Sequence, residues 1–367
     1  MSAGPESDAP DRLGDPRILA MARRFADEVL APAAMEVERT GQIPAAHFDA
    51  LATEGFYGLA GPVEAGGLDV DYPTACRVIE VMASGCLSTA FVWLQHHGTV
   101  RAVAESGDAR LKEKWLRALC EGKRRAGVAL AGTIPGPPML RARAVTGGYV
   151  FDGFSPWVTG WGHIDTLHTA ARDDDDNVIW ALLDVEPSDT QPTGTVPKRA
   201  GPSGGISVEP LDLVAVMASR TVQANLHNCF VSSDRVTHSM PLSRWRELDA
   251  QGLRTNGSLA LGLAARCCAL LGPSPLDEEL ARARQALDAG TVATMPAARA
   301  GASELALRAA GALIAAKGSR SILTDADPQR LAREALFLLV FASRPAIKES
   351  LVQLLTAPST RVNDRPC

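Results

Sequence analysis

The spacing of apolar residues changes twice along the chain. From Pro16 to about Gly122 it is helical: Ile18, Met21, Phe25, Val29 and Leu30 recur three or four residues apart. Pro32 predicts a break or kink there. Pro44 opens a further helix through Phe48 and Leu51, because proline is tolerated in a first turn. Pro73 to Val103 reads as one long apolar helix or a close pair, and His96-His97 as helix-end histidines beside a packed turn.

Near Gly127 the period shortens. Val128-Ala129-Leu130 predicts a strand, and Gly147-Gly148 a hairpin turn between strand-like flanks. Residues 164–171, 178–184, 206–214 and 221–231 predict further strands. After Pro241 helical spacing returns. Leu259 to Ala265 is rich in small residues that let helices approach closely, and Asp327-Pro328 supplies a cap and a first-turn proline. The order helices, strands, helices predicts an α+β chain. Its expected parts are a loose tail (1–15), an N-terminal α-helical domain (16–122), a middle β-domain (123–240) and a C-terminal four-helix bundle (241–367).

Composition narrows the function classes. Hydrophobic residues make up 46% of 367, enough for a substantial core. The formal net charge of −5 provides no basic excess for nucleic acid or an anionic membrane. No run approaches the ~20 apolar residues of a membrane span, and the polar start lacks a signal-peptide core. Seven scattered cysteines without a C-x-x-C pair argue against a disulfide framework or zinc site and fit a reducing cytoplasm. Lys123-Arg124-Arg125 reads as a solvated helix end, and Asp173 to Asp176 as a solvated turn rather than a calcium loop.

One stretch concentrates candidate chemistry. Gly153 to Asp165 carries Trp157, Trp161, the Thr159 hydroxyl and glycines at 153, 160 and 162 between apparent strands. Indoles are flat apolar plates, and glycines admit close backbone approach, so the stretch suits a planar ligand or a buried aromatic corner. Trp157-Val158-Thr159 resembles the W-[IV]-[TS] tripeptide of the acyl-CoA dehydrogenase superfamily, whose Trp and Thr line an FAD isoalloxazine. Further similar segments are Gly55 to Gly67, the Gly107–Gly122 helix, Arg220 to Val236 and Leu259 to Ala265, so the likeness runs from about Arg23 to Leu355.

The resemblance implies an FAD-dependent oxidoreductase acting on an acyl thioester, on CoA or a carrier protein, in a homo- or hetero-oligomer with FAD at the subunit boundary. Leu130, Ala131, Trp157, Thr159, Gly318 and Arg344 are the implied cofactor-binding positions, with Arg344 a cation near the flavin or its phosphates. No metal is implied.

Several positions depart from the family. Phe341-Ala342-Ser343-Arg344 stands where its Y-E-G-T turn carries the catalytic Glu, so Ala342 provides no base. Glu334 and Glu349 lie about 10–12 Å away along a helix at ~1.5 Å per residue. The alternative family position, on the first C-terminal helix around Gly252, has only Asp249 nearby. Ala131 replaces a flavin-facing Thr, and the R-x-x-F-G arm is missing. No catalytic residue is therefore assigned. A flavin monooxygenase, suggested by Pro328-Gln329-Arg330 to Arg333, and an inactive partner subunit stand as alternatives.

Overall fold

The computed structural model describes residues 15–185 and 204–357; the expected tail before Asp15 lies outside them. The chain opens with α1 (Pro16–Phe25), capped by the Asp15 carboxylate, which accepts from Arg17 N–H at 2.8 Å. One π-helical turn, Ala26–Leu30, joins it to α2 (Ala31–Thr40). Pro32 has no N–H to return four residues back, and the wider turn absorbs that loss without breaking the helix.

Next come α3 (Ala45–Thr53), α4 (Tyr72–Gly85), α5 (Leu87–Glu105) and α6 (Ala109–Cys120). The predicted long helix is thus a close pair, interrupted at Cys86, whose extended backbone breaks the ladder. His96 and His97 lie within α5, buried, and not at a helix end. The Nε2–H of His96 donates to Leu119 O (3.1 Å), and its Nδ1 accepts from Ala126 N–H (3.0 Å). That pattern fixes the neutral tautomer. Burial pushes the His96 pKa down to about 3 and holds that of His97 well below its ordinary value.

The middle of the chain is one sheet. Its strands are β1 (Ala126–Ala129), β2 (Leu140–Val145), β3 (Gly148–Val158), β4 (Thr166–Arg172), β5 (Asn177–Asp184), β6 (Gly205–Pro210), β7 (Val222–Ser232) and β8 (Val236–Pro241). The order is β6-β7-β3-β2-β4-β5-β8, with β1 parallel to β4 from Ala126↔Thr166 to Ala129↔Thr169. The hairpin between β2 and β3 forms as the sequence predicts, but its turn falls on Thr146-Gly147 rather than Gly147-Gly148, because Gly148 already pairs with Val145. Between β4 and β5 the Asp173 carboxylate accepts from Asp175 and Asn177 N–H, so this acid is consumed in shaping its turn.

The C-terminal part comprises α7 (Leu242–Leu271), α8 (Pro275–Asp288), α9 (Met295–Lys317), α10 (Asp327–Val340) and α11 (Pro345–Thr356). The small residues of α7 have a direct purpose. A Cβ on Gly262 would lie 2.2 Å from Glu80 O, so α7 and α4 touch through backbone there. Their apolar faces, with those of α9 and α10, form one core that runs from the N-terminal helices into the C-terminal ones, while the sheet has its own.

Arg124 and Arg125 are struts rather than a solvated helix end. The Arg124 guanidinium lies 5.1 Å from the centre of the Trp115 ring and pairs with Asp165 and Asp184. Arg125 pairs with Asp49 at 2.6 Å and lies 5.5 Å from the centre of the Tyr57 ring. Together they tie the helices to the sheet. Among the described residues, no helix is long and apolar enough to cross a membrane.

Candidate functional site

The Trp157 stretch is a strand end, not a loop between strands. Residues 153–158 continue β3, paired with β7 through Ser155↔Ala224 and Val158↔Val222. A register shift between those two pairs turns the strand locally, and Trp157 sits within it, with 63% of its surface exposed. A β-strand alternates its faces, so the residues flanking Trp157 turn away: Val158 is buried, and so is Thr159 just beyond the strand.

Thr159 belongs to a buried chain of hydroxyls. Its Oγ1 is 3.3 Å from Thr221 Oγ1, which is 2.9 Å from Ser219 Oγ. A Cβ added to Gly127 would lie 3.1 Å from Thr159 O, so β1 reaches Thr159 only because residue 127 has no side chain. From there β1 leads to Leu130 and to the short turn Ala131–Thr133, which packs on β3 and β4. Ala131 is buried; Thr133 Oγ1 donates to Leu130 O at 2.8 Å. Leu130 packs, as Trp245 at the start of α7 does, on the cluster of Ala170, Val178, Trp180 and Leu242. The fold thus gathers Leu130, Ala131, Trp157 and Thr159 around the β1–β3 corner.

Two predicted positions differ. Gly318 ends α9 with φ 73°, its N–H donating to Ile314 O, and its segment packs on α9 and α10. It is a helix stop, and within this chain it does not join the corner. Arg344 is not a free cation. Its Nε and Nη2 donate to Asp249 Oδ2 and Oδ1 at 2.8 and 3.0 Å, and its guanidinium lies 5.9 Å from the centre of the Trp245 ring. Pro345 opens α11, and Arg344 at its N-cap is delivered to α7.

The loop where a base is expected is rigidly built. Ala342 takes a left-handed conformation, φ 51°, uncommon for a residue with a Cβ. Before it, Arg299 of α9 is almost fully buried and donates to Ser303 Oγ and to Phe341 O. Ser303 Oγ in turn donates to Leu338 O at 2.8 Å, so two side chains satisfy the carbonyl end of α10. Burial lowers the Arg299 pKa to about 10. Glu334 is no substitute base: it is buried against Arg330 at 2.8 Å. The sequence reading missed the Asp249–Arg344 pair and Arg299. Both partners of the pair stood in the two segments already suspected, but nothing in a linear sequence joins residues 95 apart.

Comparison with known proteins agrees with this architecture. Residues 16–123 match the model of the acyl-CoA dehydrogenase N-terminal domain. Isovaleryl-CoA dehydrogenase of Arabidopsis thaliana is 24% identical over 220 residues, covering 58% of this chain and 51% of its own length. The 3-sulfinopropanoyl-CoA desulfinase of Cupriavidus necator is 32% identical over 162 residues, 43% of this chain and 41% of the relative. The solved butyryl-CoA dehydrogenase of Megasphaera elsdenii superimposes with a TM-score of 0.76 at 16% identity, over 95% of this chain and 98% of that one. The chain spans about half the length of the curated relatives it matches. Residues 16–123 thus carry an acyl-CoA dehydrogenase N-terminal domain, and the chain as a whole has the acyl-CoA dehydrogenase fold.

Proposed function

We propose that this protein is an FAD-dependent oxidoreductase of the acyl-CoA dehydrogenase type, acting on an acyl thioester of CoA or a carrier protein. The observation that carries the reading is Trp157, an indole held in the open at a corner whose other members are largely buried. A planar ring laid on it would remove that apolar surface from water, at roughly 25 cal/mol per Å². The corner residues fit an isoalloxazine: an aromatic plate, the Leu130–Ala131 backbone, and the hydroxyls of Thr159 and Thr133.

The phosphates fit this chain less well, since Arg344 is engaged by Asp249 and Gly318 lies elsewhere. Their partners are expected from a second subunit, which makes the working form an oligomer. When bound, the isoalloxazine supplies a hydride acceptor. Trp157 and the Ala131 turn orient the ring, and the corner's buried members exclude water from one side of it.

The Asp249–Arg344 pair supports a second reading. Neither Ala342 nor Gly252 carries a carboxylate, and the nearby Asp249 is held by two charge-assisted hydrogen bonds. A shelf without a free base suits chemistry that needs no α-proton removal, as in a flavin monooxygenase, or a silent subunit of a hetero-oligomer. The name of the desulfinase relative, too, describes a reaction other than dehydrogenation.

Reconstitution with FAD followed by anaerobic titration with isovaleryl-CoA and butyryl-CoA separates these. Bleaching of the flavin by a thioester supports the dehydrogenase. A retained flavin that bleaches only with dithionite favours the monooxygenase. A chain that refuses FAD removes both and leaves the silent subunit.

A further inference from the structure

A cavity of about 1020 Å³ opens between α2, α3 and the 160–165 loop, and none of Leu130, Ala131, Trp157 or Thr159 lines it. Its charges are almost completely matched within the protein. The four lining carboxylates all have cations: Glu36 with Arg39 Nε (2.8 Å), Asp49 with Arg125 (2.6 Å), Glu121 with Lys123 (2.7 Å) and Asp165 with Arg124 (3.3 Å). Of the lining cations, Lys123 and Arg125 are thereby engaged. Arg220 is not. Among the described residues its guanidinium has no acidic partner, and its buried Nε–H has no acceptor.

A buried donor without an acceptor is uncommon in a folded protein, because it forfeits its water without return. The backbone is also bent to present it. Arg220 sits at φ 45° and Val216 at φ 51°, two left-handed residues that bracket the turn Met217–Ser219. The Trp161 N–H donates to Arg220 O and the Gly160 N–H to Ser219 O, which holds the strained turn in place. The rest of the wall is partly apolar, with Val37, Ile43 and Pro44.

We infer that this cavity is a binding site for a small amphiphilic oxyanion, a carboxylate or phosphate monoester on an apolar body, whose head group is taken by Arg220. A guanidinium fork matches two oxygens of either head, and the aliphatic wall takes the body. A neutral ligand of the same shape leaves the guanidinium charge uncompensated and binds more weakly.

Calorimetry on the full chain with hexanoate, hexyl phosphate and hexanol tests this without any flavin readout. At least one anion is expected to bind saturably, at least tenfold tighter than hexanol, and the stronger head identifies the ligand class. Arg220→Gln removes the charge. Arg220→Gly removes it while relieving the left-handed strain, so it stays folded if the first variant does not. Either folded variant is expected to lose the preference for the anion over hexanol. Wild-type protein that binds neither anion more tightly than hexanol, or folded variants that bind the anions as wild type does, would overturn the assignment.

Discussion

The Arg344 guanidinium and the Asp249 carboxylate meet in two parallel hydrogen bonds, at 2.8 and 3.0 Å, joining the loop before α11 to the first third of α7. Both groups are partly shielded from solvent, so their coupling is expected to exceed that of an exposed pair, at about 1–2 kcal/mol. A double-mutant cycle with Arg344→Met and Asp249→Asn, read by urea unfolding, checks it; strict additivity would mean that the pair contributes nothing to stability.

If the shelf holds flavin and only the base is missing, restoring it should restore chemistry. Ala342→Glu is expected to speed anaerobic flavin bleaching by isovaleryl-CoA by about 10²-fold, the lower range of a positioned general base. An unchanged rate in a folded, yellow variant argues that the loop does not face the reacting carbon.

Trp157→Ala tests the shelf itself. Because the indole is exposed, the unfolding midpoint should hardly move, within about 0.5 kcal/mol. Flavin dissociation should rise about 3- to 10-fold, the worth of a ring contact. Equal flavin affinity in the variant would remove Trp157 from the site.

Acid stability follows from the buried imidazoles. Burial pushes His96 and His168 down to about 3, whereas the unfolded chain's histidines bind a proton near pH 6.5. A depressed folded value contributes stability that is complete above about pH 6.5 and is lost as pH falls toward 3. At pH 5 the two cost about 2 kcal/mol each. Denaturant titrations at pH 7.5 and 5 should show this loss, and His168→Gln should reduce the slope by one proton.

Two glycines predict opposite signs. Gly262→Ala forces a Cβ against Glu80 O and should cost about 1–3 kcal/mol. Gly311 lies within α9 with nothing near its missing side chain, so Gly311→Ala should stabilise by about 0.5–1 kcal/mol. Thermal melts of both variants check the contrast.

The sequence made most of the fold legible, because periodicity and proline are local signals. The β2–β3 hairpin, the strands at 164–171 and 178–184 and the first-turn Pro328 of α10 need only their neighbours to be read, although the turn falls one residue early and Asp327 lies inside α10, paired with Arg330, and does not cap it. What escaped depends on distant partners. His96 and His97 looked like helix-end residues because nothing nearby in sequence revealed Leu119 and Ala126 as partners of His96. Trp157 was recognisable by its motif, yet its place inside β3 depends on pairing with β7 some 65 residues later. By sequence Arg344 reads as an available cation, and only the fold sets Asp249 opposite it. Arg220, inside a recognised segment, carried no linear sign of its left-handed backbone or of the cavity beside it.

The imidazole of His96 has one more implication. The sheet's first strand receives its opening amide contact from a helix laid down 30 residues earlier, and the same ring grips the end of α6. A gene split at residue 122 would therefore encode halves that each lack a hydrogen-bonding mate. They are expected to behave as complementing fragments, regaining native ellipticity on mixing and not before.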